Sequence, residues 1–302
     1  FQDHVAECEA KHGKFDGAIL DTNLISNTQQ LSQTLVRGSL HRLGIPTCRY
    51  SKRQEATPKD RLQYFSRLNS EGSQSVAFPE RIRLADQLES GAKWFQELFV
   101  SFKIIREMID DVPSTVSVAG PAGLLAIIAG NRCAETEFVG YRDAYPLYFG
   151  ELFKNEEQGR SSDLKRCRAT QLGYWFVNCI LGFPGPLLSR KPLAAMVGLT
   201  DSSKVDDPEL KESLRSYRYT GPFEYLDHYF WREKVLDAVR EGKLETVLRR
   251  LDANPEPLRY CLISDEPLAD GVKVTRPDWI PAGAVESYVS KATYDKFNPW
   301  LK

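Results

Sequence analysis

A tyrosine and two adjacent carboxylates lie close together in one short stretch of the chain, LRYCLISDEPLADG at 258–271. The apolar run that begins at Tyr260 predicts a strand, and the acidic pair Asp265 and Glu266 follows that strand directly. Two carboxyl groups in partly apolar surroundings can separate their pKa values, so that one acts as an acid and the other as a base. Neighbours in an extended segment point to opposite faces, so only one of the two acids is expected to face a cleft. We therefore predict Tyr260, Asp265 and Glu266 as catalytic residues, with surface charge in a turn as the alternative.

Two further predicted strand ends carry residues that suit ligand binding. Asp21 follows an apolar run that predicts a strand, and its carboxylate can accept a hydrogen bond from a ligand. Gly120 and Gly123 belong to a predicted glycine turn between a strand at 115–119 and a helix at 124–129, where backbone N–H groups can hold an anion. We predict Asp21, Gly120 and Gly123 as substrate-binding residues. The alternatives are a helix N-cap at Asp21 and an ordinary strand–helix turn at the glycines.

These strand ends form a single site if their strands are parallel in one sheet. Ligands of open α/β sheets bind outside the carboxyl ends of the strands. Asp21, the 120–123 turn and Glu266 are then expected to meet at one edge of the sheet.

Basic residues supply another kind of candidate. Arg49 opens a basic stretch near the end of a predicted strand, and Lys165 and Arg166 lie in the first turn of a predicted helix at 164–181. Cations at a helix N-terminus oppose the helix dipole, which favours an acidic partner. We predict Arg49, Lys165 and Arg166 as contacts to an anionic substrate or a nucleic-acid backbone, with solvated surface charge as the alternative.

The elements that position these residues indicate an α/β fold. A strand at 15–20, a helix at 24–43 and a strand at 45–50 make a βαβ unit, which predicts a parallel sheet. We predict a Rossmann-like fold with a mainly parallel sheet, many flanking helices and a helix-rich second half. A single α/β domain is expected over 1–302, with a helical annex over 135–251 as an option.

Aromatic residues concentrate at 135–153 and in a predicted helix at 223–240. They can fill the core, line a pocket for an apolar substrate or bury a partner protein. The last elements are predicted as a strand at 272–275 and a helix at 284–291.

Composition argues against several classes of protein. The 302 residues include 40 Lys and Arg against 41 Asp and Glu, and the formal charge of −1 argues against a general nucleic-acid binder. The four histidines lack a ligand-like spacing and the six cysteines form no C-x-x-C pair, so we predict no metal site and free thiols in the cytoplasm. The even number of cysteines leaves disulfides open as the alternative. No dinucleotide or P-loop motif is present, so no cofactor is predicted.

The longest apolar run, at 124–129, is too short for a membrane span.

One family resemblance rests on the first stretch. Tyr260, the acidic pair, Pro267 and Leu268 resemble the Tyr…Glu…Pro step of tRNA-dependent cyclodipeptide synthases. The resemblance implies a Rossmann-like fold similar to class I aminoacyl-tRNA synthetases. It also implies formation of a diketopiperazine from aminoacyl-tRNAs through a seryl-bound intermediate.

The resemblance assigns the central roles to Tyr260 and Glu266. It also implies contact between tRNA and the basic residues near Arg49 and Lys165. The chain departs from the family pattern because the spacing from tyrosine to acid is looser and no nucleophilic serine is assigned.

The leading functional prediction is a soluble enzyme of small-molecule metabolism, a transferase with its site at the carboxyl ends of the strands. The sequence lacks a nucleophile elbow, an H-E-x-x-H motif and a triad-like pattern, which disfavours the common hydrolases. Two alternatives stay open: a cyclodipeptide synthase-like enzyme, and a non-catalytic module whose aromatic helices bury a partner protein.

Overall fold

The protein folds into a mixed α/β structure in which helices predominate, as seen in a computed structural model. In the part of the chain that is described, no helix combines the length and the hydropathy needed to cross a membrane. The structure describes residues 1–21, 33–50, 58–78, 88–111, 120–154, 162–276, 278, 280–284 and 288–297.

Most described residues belong to helices, and one helix, α8, continues into a π-helical turn at Phe176–Ile180. The α-helices are α1 (Gln2–His12), α2 (Gln33–Arg42), α3 (Pro58–Glu71), α4 (Leu88–Asp111), α5 (Gly120–Ile128), α6 (Glu135–Val139), α7 (Tyr145–Lys154), α8 (Ser162–Trp175), α9 (Arg190–Met196), α10 (Pro208–Leu214), α11 (Arg232–Arg240), α12 (Glu245–Arg250) and α13 (Lys291–Phe297).

The strands are short and divide among three sheets within the described residues. They are β1 (Ala18–Asp21), β2 (Thr47–Tyr50), β3 (Val76–Ala77), β4 (Leu187–Leu188), β5 (Phe230–Trp231), β6 (Arg259–Cys261), β7 (Glu266–Leu268), β8 (Val272–Lys273) and β9 (Tyr288–Val289).

The first sheet contains the βαβ unit that the sequence predicts. Strands β1, β2 and β3 are parallel and lie in that order, and α2 connects β1 to β2. The βαβ unit has a small apolar cluster of its own. The cluster contains Leu20 of β1, Leu40 of α2 and Ile45 of the turn that follows α2, and all three are buried.

The main core forms between α4 and α8. Apolar residues recur every three to four positions along α4, which places Leu98, Phe102 and Ile105 on one buried face. The ring of Tyr174 on α8 lies 5.3 Å from the ring of Phe102, and the Thr47 N–H donates to the Tyr174 hydroxyl at 2.7 Å. The helical layer is therefore joined directly to β2.

A second apolar cluster lies in the region of α9 to α12. Strands β4 and β5 pair antiparallel beside it. The Asp207 side chain accepts from the Glu209 and Leu210 N–H groups, and Pro208 occupies the first turn of α10. This N-cap fixes where α10 begins.

The C-terminal sheet has the order β7-β6-β9-β8 and is mixed, because only β6 and β9 pair in parallel. Cys261 and Val289 from this sheet pack with Phe65 of α3 and Phe297 of α13.

A Rossmann-like arrangement is not confirmed, because the sheets are small and one of them is mixed. Strands β1 and β7 belong to different sheets, so Asp21 and Glu266 do not share a sheet edge as predicted. The strand predicted at 115–119 lies outside the described residues. Residues 120–123 form the first turn of α5 instead of a turn that precedes it. The division into one domain with an annex stays a prediction.

Two predicted helices in the second half are wrong in part. Residues 222–226 form turns, Phe223 has φ of 69°, and helix α11 begins only at Arg232. Pairing of β5 with β4 buries Phe230 and Trp231, so tertiary contacts override the helical spacing there. The helix predicted at 284–291 overlaps β9, and residues 285–287 lie outside the described part of the chain.

Candidate functional site

The two cations predicted on α8 have partners within the chain. Arg166 is only 4% exposed, and its guanidinium donates to both Glu9 carboxylate oxygens, at 2.9 and 3.2 Å, and to the Phe15 carbonyl at 2.7 Å. Partial burial alone would raise the pKa of Glu9, but Arg166 and the Phe15 N–H hold the pKa of this carboxyl below its ordinary value. Lys165 pairs with Asp110 at 3.1 Å. The geometry gives Arg166 a structural role in attaching α1 to α8.

The other predicted binding residues lie on β1, on β2 and in the first turn of α5. Asp21 is the last residue of β1 and pairs with Tyr50 of β2. Arg49 precedes Tyr50 in the same strand. The Ala122 N–H donates to the Tyr145 hydroxyl at 3.2 Å. A Cβ atom at Gly123 would lie 3.2 Å from the Glu135 carboxylate, so the start of α5 faces an acidic group that disfavours an anion.

The Tyr260 region forms a compact network of polar side chains, which we call the Asp265 cluster (Arg61, Lys191, Tyr260 and Asp265). One Asp265 oxygen accepts from the Tyr260 hydroxyl, and the other lies 2.7 Å from Lys191 Nζ and 3.1 Å from the Arg61 guanidinium. Arg61 also donates to the Leu262 carbonyl at 3.1 and 3.2 Å. The cluster connects α3 and α9 to the turn between β6 and β7.

The backbone conformation of that turn explains why Asp265 and Glu266 lie in different surroundings. Asp265 adopts a positive φ of 62°, and its N–H donates to the Cys261 carbonyl at 2.8 Å. Glu266 begins β7, pairs with Cys261 and is exposed. The two carboxylates lie in different surroundings: Glu266 is exposed, whereas Asp265 belongs to a hydrogen-bonded network. That one of them faces a catalytic cleft stays a prediction.

The chemistry available to this cluster is limited. Burial, and then the Asp265 charge, raise the pKa of Tyr260 well above its ordinary value, while Arg61 opposes the shift. The phenol therefore stays protonated at neutral pH and acts as a donor. Both Asp265 oxygens are occupied by partners of the chain, so the arrangement suits a structural clamp.

A different place offers open space: a cleft of about 270 Å³ beside α7 and the π-helical turn, which we call the acidic cleft. Most of its described lining residues are apolar or aromatic, although polar atoms form slightly more than half of the exposed wall. Two carboxylates are the charged groups among these described residues. The lining consists of Leu68, Asp143, Ala144, Pro146, Leu147, Tyr148, Asn178, Cys179, Phe183, Asp278 and Pro281.

The floor of the acidic cleft is formed by buried side chains of α7 and the π-helical turn: Tyr148, Asn178 and Cys179. Asn178 is 2% exposed and donates to the carbonyls of Gly72 and Ser75 at 2.6 and 3.0 Å. Its side-chain oxygen accepts no hydrogen bond from any described residue. The fixed amide therefore leaves one acceptor for a ligand.

The mouth of the acidic cleft carries the exposed carboxylates Asp143 and Asp278. Asp143 accepts from the Ala282 N–H at 3.0 Å and lies 4.0 Å from the Arg276 guanidinium. The Arg276 guanidinium is thus at the limit of an ion pair and is itself about half exposed, so this pair compensates little of the Asp143 charge.

The reactive groups on the floor are held in their neutral forms. Burial raises the pKa of the Cys179 thiol well above its ordinary value, and burial likewise raises the pKa of Tyr148. A protonated thiol is a poor nucleophile, so the geometry favours binding over covalent catalysis at these two residues.

Sequence reasoning missed the acidic cleft as a site. It singled out the aromatic segment at 135–153, which supplies both Asp143 and Tyr148, but Asn178, Cys179 and Asp278 come from distant segments. Only the tertiary fold brings them to one cleft.

No group of three or more His, Cys, Asp or Glu side chains suited to a metal ion occurs among the described residues. No protein-family model, curated protein or solved structure matches the chain.

Proposed function

We propose that the chain binds a small molecule with an amine group and an apolar body in the acidic cleft. The observation that carries the proposal is the combination of two carboxylates at the mouth, an amide oxygen of Asn178 that accepts no hydrogen bond from a described residue, and apolar side chains such as Leu68, Leu147 and Phe183 in the lining. Such a site offers acceptors and negative charge, which an ammonium group complements. The volume is close to the lower end of ligand pockets, about 300 Å³, and suits a small metabolite.

The enzymatic form of this proposal is the transferase of small-molecule metabolism that the sequence suggests. Binding in the cleft is supported by the geometry, whereas chemical transfer to or from the bound amine is an additional proposal. The two are tested by different experiments.

Binding is tested by calorimetry with phenethylamine and, as the matched anion, phenylacetate. We expect heat of binding with the amine alone, and weaker binding for Asp143→Asn and for Asp278→Asn. The control is Asp237→Asn, which changes an exposed carboxylate on α11 that pairs with Arg240. Equal binding of amine and acid, or the same affinity in all three variants, would contradict the proposal.

Transfer is tested by untargeted mass spectrometry of bacterial cultures that express the chain. A new product that disappears in Asp143→Asn supports chemistry in the acidic cleft. A product that disappears in Tyr260→Phe and Glu266→Gln, but persists in Asp143→Asn, supports the cyclodipeptide synthase-like alternative.

The interaction-module alternative has less support. The aromatic side chains Phe138, Phe223 and Trp231 are buried, and within 223–231 only Tyr225, at 62% exposure, offers a large exposed ring. An extended aromatic surface for a partner is therefore lacking in that segment.

A further inference from the structure

A second pocket, of about 200 Å³, lies among α9, the segment Ser202–Asp206, α10 and β5. Cations dominate its lining: Arg190, Lys211, Arg215 and Arg218. We call it the basic pocket. None of its described lining residues also lines the acidic cleft, so we treat the two as separate sites.

The carboxylates around the basic pocket do not balance its cations. Asp206 pairs with Arg190 at 2.6 Å and with Lys211 at 3.7 Å, and Glu212 pairs with Arg215 at 3.4 Å. These two carboxylates face four full positive charges in the lining.

Asp227 adds one more negative charge from outside the lining. It lies 3.7 Å from Arg190 Nε, and its carboxylate accepts from the His228 N–H at 2.8 Å. An excess of positive charge remains in the pocket even when Asp227 is counted.

Among the four cations of the basic pocket, Arg218 is the one with no counter-ion in the described part of the chain. It makes no ion pair with any described residue, and its Nε is buried without a hydrogen-bond acceptor. The neighbouring His228 Nδ1 is likewise buried and unpartnered. Buried polar groups in folded proteins are normally hydrogen-bonded, so two such atoms in one pocket indicate a missing partner.

The frame that holds these side chains is well defined. Residue 218 forms an antiparallel bridge with Phe230, which fixes the backbone of Arg218. Val205, Leu210 and Leu214 are buried in the apolar cluster behind the pocket. A preorganised frame reduces the entropy that a ligand must overcome on binding.

We propose that the basic pocket binds the phosphate group of a small phosphate monoester. A phosphate offers several oxygen acceptors and close to two negative charges, and guanidinium groups match it in charge and geometry. The pocket holds a phosphate-sized group, and the organic part of the ester extends toward its opening. This proposal does not depend on the function proposed for the acidic cleft.

The test is a titration of the full chain with inorganic phosphate, phenyl phosphate and, as the uncharged match, phenol, followed by calorimetry and amide NMR. We expect both phosphates to bind, phenol not to bind, and amide signals of residues 202–230 to shift. Tighter binding of phenyl phosphate identifies an ester ligand, whereas equal affinities indicate that the pocket takes free phosphate.

Variants locate the binding. Arg218→Gln is expected to weaken phenyl phosphate binding on the order of tenfold or more, because it removes charge-assisted hydrogen bonds. Lys211→Gln is a second variant of the same pocket, and it is also expected to weaken binding. Because Lys211 is exposed, this variant tests the pocket even if Arg218→Gln does not fold. The control is Arg240→Gln on α11, outside the pocket, which is expected to leave affinity unchanged.

Three outcomes would overturn the proposal. The first is the absence of binding by either phosphate. The second is equal weakening in the Arg240→Gln control, which would indicate a general charge effect. The third is binding only of a phosphopeptide or an oligonucleotide, which would assign the pocket to a macromolecular partner.

Discussion

Arg190 and Lys191 are neighbours on α9, yet they belong to two charged clusters of different character. Lys191 joins the Asp265 cluster, in which the central carboxylate has three partners from the chain. Arg190 lines the basic pocket, in which Arg218 has no ion-pair partner among the described residues. The difference separates two uses of the same residue types: a saturated network stabilises the fold, while an unsaturated one is available to a ligand.

The largest effect is expected when the Asp265 cluster loses its carboxylate charge. Asp265→Asn retains a residue that tolerates the positive φ but leaves two cations without their partner. We expect the free energy of unfolding to fall by about 2 kcal/mol, measured by urea denaturation. Glu266→Gln, at the exposed neighbour, is the control and is expected to change stability by less than about 0.5 kcal/mol. Similar changes in the free energy of unfolding for the two variants would contradict the stabilising role of the Asp265 cluster.

Tyr260→Phe removes one hydrogen bond from the same cluster. We expect a loss of about 1 kcal/mol in the free energy of unfolding, because Asp265 keeps its two cations. Tyr225→Phe, at an exposed tyrosine, is expected to leave stability unchanged. Full stability of Tyr260→Phe combined with loss of a metabolic product would instead assign Tyr260 to catalysis.

Arg218→Gln should act in the opposite direction in the absence of ligand. It removes a partly buried charge that has no ion-pair partner, so we expect unchanged stability or a gain of up to about 1 kcal/mol. A clear loss of stability in urea denaturation would show that Arg218 is saturated within the chain and would remove the contrast with the Asp265 cluster.

The smallest effect concerns pH and His228. Burial first, and then the Arg218 charge, lower the pKa of His228, although Asp227 opposes the shift. Because the folded pKa lies below the unfolded value of about 6.5, protonation favours the unfolded chain. Stability should therefore fall as the pH decreases below about 6.5.

His228→Gln is expected to flatten this dependence in thermal melts between about pH 7 and pH 5. Identical pH profiles for the wild type and the variant would contradict the prediction. Addition of phenyl phosphate should also weaken the dependence, because a bound anion compensates the charges of Arg218, Arg190 and Lys211.

Some elements could be predicted from local sequence alone. The helix predicted at 164–181 and the strand–helix–strand order at 15–50 correspond to elements that the structure contains. Local sequence is sufficient there because apolar runs and the residues that start and stop helices define each element without distant partners.

Elements that depend on distant partners escaped prediction. Phe230 and Trp231 fit a helical pattern, but pairing with Leu187 and Leu188 makes them a strand. Prediction of the sites has the same limit, because local sequence does not show which distant residues come together. Tyr260 and Asp265 are near in sequence and do meet, whereas Arg61 and Lys191 come from other elements, and nothing in their local sequence distinguishes them from solvated charges.

The π-helical turn after α8 has a consequence for how the acidic cleft can change. In this turn the Leu181 N–H reaches back five residues to the Phe176 carbonyl, at 2.8 Å, so the turn contains one residue more than an α-helical turn would. Deletion of a single residue there would restore α-helical geometry and rotate Asn178 and Cys179 relative to α7. The shape of the cleft floor is therefore sensitive to an insertion or deletion within 176–180, a kind of change that leaves the composition of the lining almost untouched.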